Sequence, residues 1–216
     1  MDAEESGGSE GRTVLYLARS GKLVGTIVVA DQLRSTSARA VGQLERLGID
    51  AAMLTGDTRT AAVPIAKACG IKTVISDVLP AGKESAVRQL LSSDDTVAMV
   101  GDGINDAPAL ARATVGIAMG TGTDIAREGA DLVLMHADPL DVPRAVELSR
   151  ATVRIIRQNL FWALGYNAVG IPLAAGLFYP VLGWQLSPMF GAAAMSFSSI
   201  FVCVNALRLR HFTPSC

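Results

Sequence analysis

Read by the spacing of its apolar positions, the chain divides into two unlike parts. Up to residue 157, short apolar runs alternate with amphipathic ones. Residues 13–18 and 22–30 are β-rich runs on either side of Ser20-Gly21, a hairpin signal. Residues 34–47 follow a helical period and stop at Gly48, and 50–54 form a short apolar run ending in Thr55-Gly56-Asp57. Residues 60–69 read as a helix stopped by Gly70, and 83–91 as another. An apolar strand at 96–100 leads directly into a glycine turn, and 115–119 and 132–135 are two further short buried strands. Strands alternating with helices predict βαβ units around a parallel sheet. Ligands of such sheets sit beyond the carboxyl ends of the strands. Asp31, Thr55-Gly56-Asp57 and residues 101–106 each fall just after an expected strand, so they are expected to form one site.

Residues 139–157 make a mixed helix with Arg150, Arg154 and Arg157 on its last turns. The pattern then changes. Residues 158–207 contain no Asp, Glu, Lys, Arg or His, a stretch of about 50 residues, enough for two membrane helices of about 20 residues each. The expected spans are 160–182 and 189–207, joined by a turn from Tyr179-Pro180 to Ser187-Pro188. Arg208, Arg210 and His211 follow the second span. Arginines flank both outer ends and none lies in the turn, so the positive-inside bias places both ends, and the α/β domain, in the cytosol. Small residues at Gly165, Gly170, 174–176 and 191–194 would admit close partner helices, and two helices alone enclose no pathway.

Composition narrows the partners. The 216-residue chain is half hydrophobic with a net charge of −1, which excludes the basic field expected of a nucleic-acid binder. Cys69, Cys203 and Cys216 are odd in number and widely spaced, which argues against a disulfide framework or a zinc site and suits a reducing cytosol. Residues 1–11 are acidic and rich in Ser and Gly; they read as a flexible tail or a cut edge, not a signal peptide.

The chemistry concentrates in Gly101-Asp102-Gly103-Ile104-Asn105-Asp106-Ala107-Pro108-Ala109-Leu110. Two glycines allow a tight turn and close approach of backbone to ligand. A carboxylate between them, Asp102, is a hard ligand suited to Mg²⁺, which takes one or two carboxylates plus phosphate oxygens. Asn105 and Asp106 could position the metal's water shell and the turn. Thr55 and Asp57 suit a phosphoryl group at a helix N-terminus, although both are also ordinary N-cap residues. Lys83, after Pro80-Ala81-Gly82, could neutralise charge on a transferring phosphoryl group.

Thr55, Lys83 and Asp102, in this order, resemble the motifs of the haloacid dehalogenase-like superfamily. More narrowly, Thr55-Gly56-Asp57, Pro80-Ala81-Gly82-Lys83 and residues 101–110 resemble the phosphorylation domain of P-type ATPases. Asp31 and Arg34 match the segment where the chain re-enters that domain. The resemblance runs from about residue 11 to 209. It implies an α/β haloacid dehalogenase-like (Rossmannoid) parallel sheet with flanking helices, followed by a two-helix transmembrane hairpin. It also implies that Asp102 and Asp106 hold Mg²⁺, that Thr55, Gly56, Asp57, Lys83, Asn105 and Asp106 are catalytic, and that Asp31, Thr55 and Lys83 meet ATP.

Tyr166-Asn167 and residues 195–199 resemble the last two helices of copper(I)-transporting ATPases, which implies that Tyr166, Asn167, Met195 and Ser199 line the path of Cu⁺. The chemistry agrees: a thioether favours soft Cu⁺, Met195 and Ser199 share a helix face, and polar groups in spans face the bundle interior. Zinc or cadmium pumps of the class would be expected to carry charged residues in these spans, and none is present. Cu⁺ and Ag⁺, both soft, are not distinguished.

The expected organisation is a tail (1–11), the last strands of a nucleotide-binding domain with the re-entry strand (12–30), the phosphorylation domain (31–138), a connecting helix (139–159), the hairpin (160–209) and a cytosolic tail (210–216). The DKTGT phosphorylation sequence, the Cys-Pro-Cys gate and the TGE actuator loop do not occur in the sequence. The expectation is therefore a C-terminal portion of a plasma-membrane copper pump. Its partners would be membrane lipid, the actuator and nucleotide domains with the remaining membrane helices, and a copper chaperone. Such a chain would turn over no ATP alone, because covalent catalysis by a carboxylate needs the nucleophile. Two other classes stay open: a stand-alone phosphatase, disfavoured because Asp31 is followed by Gln32-Leu33 and not by a second Asp, and a catalytically dead membrane regulator.

Overall fold

The computed structural model describes residues 12–30, 33–92, 96–101, 104–120, 129–177, 179–183 and 188–215. The chain forms two compact units, Met1–Pro143 and Arg144–Cys216.

In the first unit, β1 (Arg12–Arg19) and β2 (Lys22–Ala30) pair antiparallel across Ser20 and Gly21. Both turn residues have positive φ, 52° and 74°, the twist that a two-residue hairpin requires. The hairpin signal in the sequence was correct. Leu15, Tyr16, Leu17, Leu23, Val24, Ile27 and Val28 are all exposed, so both faces of this ribbon are apolar and open.

The α/β body follows with α1 (Ser37–Arg46), β3 (Ala52–Leu54), α2 (Arg59–Cys69), β4 (Thr73–Ile75), α3 (Pro80–Leu91), β5 (Ala98–Gly101), a single 3-10 turn (Ile104–Asp106), α4 (Ala107–Arg112), β6 (Val115–Met119) and β7 (Leu132–Leu134). Gly48 and Gly70, at φ 75° and 81°, end the segments before β3 and β4, as left-handed residues after helices do. Strands β3 and β4 are parallel, and so are β5, β6 and β7 in that order. The expected parallel pairing is present, but as a two-stranded and a three-stranded piece among the described residues, not as one continuous sheet.

Three other expectations need correction. Strand β4 and helix α4 were not foreseen, being too short for periodicity to register. Helix α3 begins at Pro80, not Lys83, because proline is pre-organised for a first helical turn; Lys83 therefore lies inside the helix. The core forms where α3 and α4 meet β6: Val87, Ala109, Leu110, Ile117 and Ala118 are buried. Ala62, Ala66 and Cys69 form the buried stripe of α2, and burial raises the Cys69 thiol pKa, which keeps it protonated and inert.

The second unit is helical. Helix α5 (Asp141–Ala174) is continuous through the expected boundary between connecting helix and first span. It ends before Gly176, at φ 78°, and a short α6 (Tyr179–Leu182) occupies part of the expected turn. Helix α7 (Pro188–Leu207) follows. Among the described residues no helix is long and apolar enough to cross a membrane. The expected spans at 160–182 and 189–207 are thus unsupported by these helices as they stand. The uncharged part of α5, residues 158–174, rises only about 25 Å, against a hydrocarbon core of about 30 Å.

One buried polar residue ties this unit together. Asn205 on α7 is 7% exposed. Its Nδ2 donates to Asn159 Oδ1 at 2.8 Å, and its Oδ1 accepts from Arg208 Nη1 at 3.2 Å. Asn205→Leu removes both hydrogen bonds; because Asn159 is half-buried and Arg208 exposed, water can replace part of them, and the expected loss is about 0.5–1.5 kcal/mol. Thermal melting of the whole chain checks this; an unchanged midpoint would show that the amide pair carries no stability.

Candidate functional site

The site is assembled from loops at the carboxyl ends of β3 and β5 and from the first turn of α3. Beyond β3, the Thr55 N–H donates to Ile75 O at 3.0 Å, extending the β3–β4 pairing by one residue. Val78 N–H then donates to Thr55 O and Asp77 N–H to Asp57 O, at 3.2 and 2.8 Å. These bonds fasten the Thr55-Gly56-Asp57 loop to the loop after β4. A Cβ on Gly56 would lie 3.3 Å from Val78 O, so the close approach suits glycine. Within the loop, Thr55 Oγ1 donates to Asp57 Oδ2 at 2.8 Å and accepts the Asp57 N–H at 3.1 Å.

The loop after β4 runs through Asp77, which takes a left-handed φ of 58°, into Pro80 at the start of α3. That start places Lys83 opposite Asp106. Lys83 Nζ is 2.6 Å from Asp106 Oδ1, with side chains only 17% and 14% exposed. The other Asp106 oxygen rests on the end of β5: a Cβ at Gly101 would be 2.8 Å from Asp106 Oδ2. One carboxylate is thus held between the backbone of a strand end and a part-buried ammonium. Charge-assisted contacts of this length are among the stronger polar interactions in a protein.

Of the residues predicted from sequence, the structure brings Lys83 to Asp106 and Thr55 to Asp57. Asn105 is exposed on the 3-10 turn. Asp31 and Asp102 lie outside the described residues. Arg34 does a structural job, its Nη1 donating to Ala137 O. In the second unit, Tyr166 is half-buried, and Asn167 is exposed with its Nδ2 donating to Ala163 O one turn back at 2.9 Å. Ser199 is exposed, and the Met195 side chain lies outside the described residues. Sequence reasoning missed the Asp77–Val78 brace and the steric role of Gly101, and the three-residue β4 gave it no periodic signal.

Among the described residues no group of three or more His, Cys, Asp or Glu side chains could hold a metal. Mg²⁺ does not need one, because it keeps several waters and takes one or two carboxylates plus phosphate. A carboxylate has about four lone-pair sites, so Asp106 can serve Lys83 and still accept a metal-bound water. The donor set fits Mg²⁺.

The family model for haloacid dehalogenase-like hydrolases matches residues 2–114, more than half of the chain. Copper-transporting ATPase 1 of Rhizobium meliloti (strain 1021) is 52% identical over 215 residues, covering 100% of this chain and 26% of its own length. The silver exporting P-type ATPase of Salmonella typhimurium is 51% identical over 201 residues, covering 93% of this chain and 24% of its own length. The solved structure of a zinc-transporting PIB-type ATPase in its E2.Pi state matches with a TM-score of 0.76 at 39% identity, over 92% of this chain and 32% of that one. The chain therefore spans about a quarter of the length of the curated relatives it matches. With its parallel strands and the loops at their carboxyl ends, the chain belongs to the haloacid dehalogenase-like hydrolases.

Proposed function

We propose that the chain is the phosphorylation-domain and terminal-helix portion of an ATP-driven Cu⁺ exporter of the P-type ATPases, working through an aspartyl-phosphate whose nucleophile this sequence does not contain. The observation that carries the reading is the Lys83–Asp106 pair, seated on Gly101 at the carboxyl end of β5. It pre-sets a part-buried cation at the strand edge where phosphate ligands of such folds bind, at little reorganisation cost when charge develops.

In this reading Asp102 holds Mg²⁺, with Asp106 and Asn105 supporting its water shell and the turn. Mg²⁺ held there would neutralise charge on the phosphoryl oxygens. Thr55, braced by Asp57, offers hydroxyl and backbone donors to the phosphoryl group, and Lys83 offers its ammonium. Gly56 lets the backbone approach, and Asp31 lies on the ATP side. The apolar, open faces of β1 and β2 support their assignment to the last strands of a nucleotide-binding domain, since a two-stranded ribbon is marginal alone.

Residence in a plasma membrane, with the α/β part cytosolic, is supported by the uncharged stretch 158–207 and by the exposed Phe161, Leu164, Val169, Ile171, Phe197, Ile200 and Val204. Tyr166, Asn167, Met195 and Ser199 would line the Cu⁺ path. Lipid, the actuator and nucleotide domains with the other membrane helices, and a copper chaperone complete the partners.

The test replaces the matching C-terminal quarter of the Rhizobium meliloti relative with this chain. Cu⁺-stimulated ATP hydrolysis and a phosphoenzyme are expected from the hybrid, with Ag⁺ also stimulating. Asp102→Asn should lower turnover by roughly 10²-fold or more. A folded hybrid that forms no phosphoenzyme overturns the reading; one stimulated by Zn²⁺ and not Cu⁺ overturns the choice of metal.

A further inference from the structure

Helix α5 carries a cationic stripe that the phosphoryl site does not use. Arg150, Arg154 and Arg157 stand with Gln158, Phe161 and Trp162 around an open hollow of about 640 Å³. All six are exposed, and among the described residues none of the three guanidiniums has a carboxylate partner. Like charges at four-residue and three-residue spacing on one helix face destabilise it. An anion seated among them relieves that repulsion. At the other end of the hollow, the Trp162 ring meets Phe161 at 5.7 Å and Phe201 of α7 at 5.8 Å, both edge to face.

The order along the helix identifies the anion. Charge ends at Gln158, and at 1.5 Å per residue Arg157 lies about 1.5 Å, Arg154 about 6 Å and Arg150 about 12 Å before that point. A bilayer's headgroup layer is about 5–8 Å thick on each side. Arg157 and Arg154 therefore fall within it, and Arg150 just outside. Trp162 on the apolar side matches the aromatic belt of a membrane interface, and Phe161 adds apolar surface beside it. Guanidinium forks bind phosphate oxygens in paired hydrogen bonds, and the aromatic cluster supplies a wall for an acyl chain.

We propose that this hollow seats the phosphate headgroup of an anionic phospholipid, held by Arg154 and Arg157, with its glycerol and upper acyl chain against Phe161 and Trp162. The proposal rests on the reading that the chain enters a bilayer. It adds a lipid-specific site where that reading alone asks only for apolar contact. A free phosphate would gain nothing from the aromatic wall.

The test uses the full chain with Trp184→Phe, so that Trp162 reports alone, in phosphatidylcholine vesicles doped with brominated phosphatidylglycerol or brominated phosphatidylcholine. Stronger quenching by the brominated anionic lipid is expected. Arg154→Gln and Arg157→Gln should each lower that preference about fivefold, and Arg150→Gln less, following the gain of one arginine near an anionic surface. Inorganic phosphate should not reverse the quenching. Equal quenching by the two lipids, an unchanged preference in the Arg154→Gln/Arg157→Gln chain, or displacement by inorganic phosphate would each overturn the site while leaving membrane residence standing. A chain that fails to float with either vesicle overturns the membrane reading itself, and the site with it. Circular dichroism of each variant confirms that the exposed substitutions leave α5 folded.

Discussion

Lys83→Met is expected to destabilise the Met1–Pro143 unit by about 2–3 kcal/mol, because it strands the Asp106 carboxylate in a site that is mostly closed to water. The pair is not fully buried, which puts the loss at the lower end of what breaking an internal ion pair costs. Asp106→Asn alone should also destabilise, through the uncompensated ammonium. The double variant Lys83→Met/Asp106→Asn should recover much of the loss, since both charges leave together. Urea unfolding of the three variants forms a double-mutant cycle, and a coupling above about 1 kcal/mol is expected for groups in direct contact. Additive losses would mean that the 2.6 Å contact carries no energy of its own. In the hybrid pump, Lys83→Met should also reduce turnover by roughly 10²–10³-fold, as removal of one preorganised donor does. A variant that lost stability but kept turnover would assign Lys83 to the fold alone.

Gly116→Ala is the second large expected effect. Gly116 lies in β6, beneath α4. A Cβ there would stand 2.7 Å from Leu110 O and 3.1 Å from Leu110 C, with Ala130 Cα at 3.4 Å on another side. These are backbone atoms, so no side-chain rotation relieves the clash. The helix must lift from the strand, and Leu110, fully buried, must leave its socket. A loss of about 2–3 kcal/mol or more is expected, in line with overpacking of a closed core. The control is Gly42→Ala in α1, where, beyond the helix's own neighbouring backbone, no atom lies within 4 Å of the added methyl. It should stabilise by about 0.5–1 kcal/mol through helix propensity. Chemical denaturation of both chains separates the two cases. Equal effects would refute the close packing of α4 on β6.

These two sites also show what was legible without coordinates. Gly21, Gly48 and Gly70 announced their turns because glycine, having no Cβ, takes a left-handed φ without steric cost. The period-3.6 pattern located α1 and α2, and the charge-free stretch marked off the apolar helices, because both are properties of sequence order alone. Thr55, Lys83 and residues 101–110 could be named as chemistry from residue type and spacing.

Their mutual arrangement could not. Lys83 and Asp106 are 23 positions apart, and no local rule pairs them. Pairing follows from α3 starting at Pro80 and from Gly101 leaving room for the carboxylate. Asn205 and Asn159 are 46 positions apart and read as scattered amides until the fold brings α7 to α5 at this point. The short β4 and α4 carry too few residues for a period, so only the surfaces they pack against hold them in place. Residue identity and order thus determined turns, helix stops and candidate chemistry, since these depend on backbone preference within a few residues. Tertiary structure decided which charges meet, which glycines cannot change and which arginines stand unpaired, since those depend on distances that close only when the chain packs.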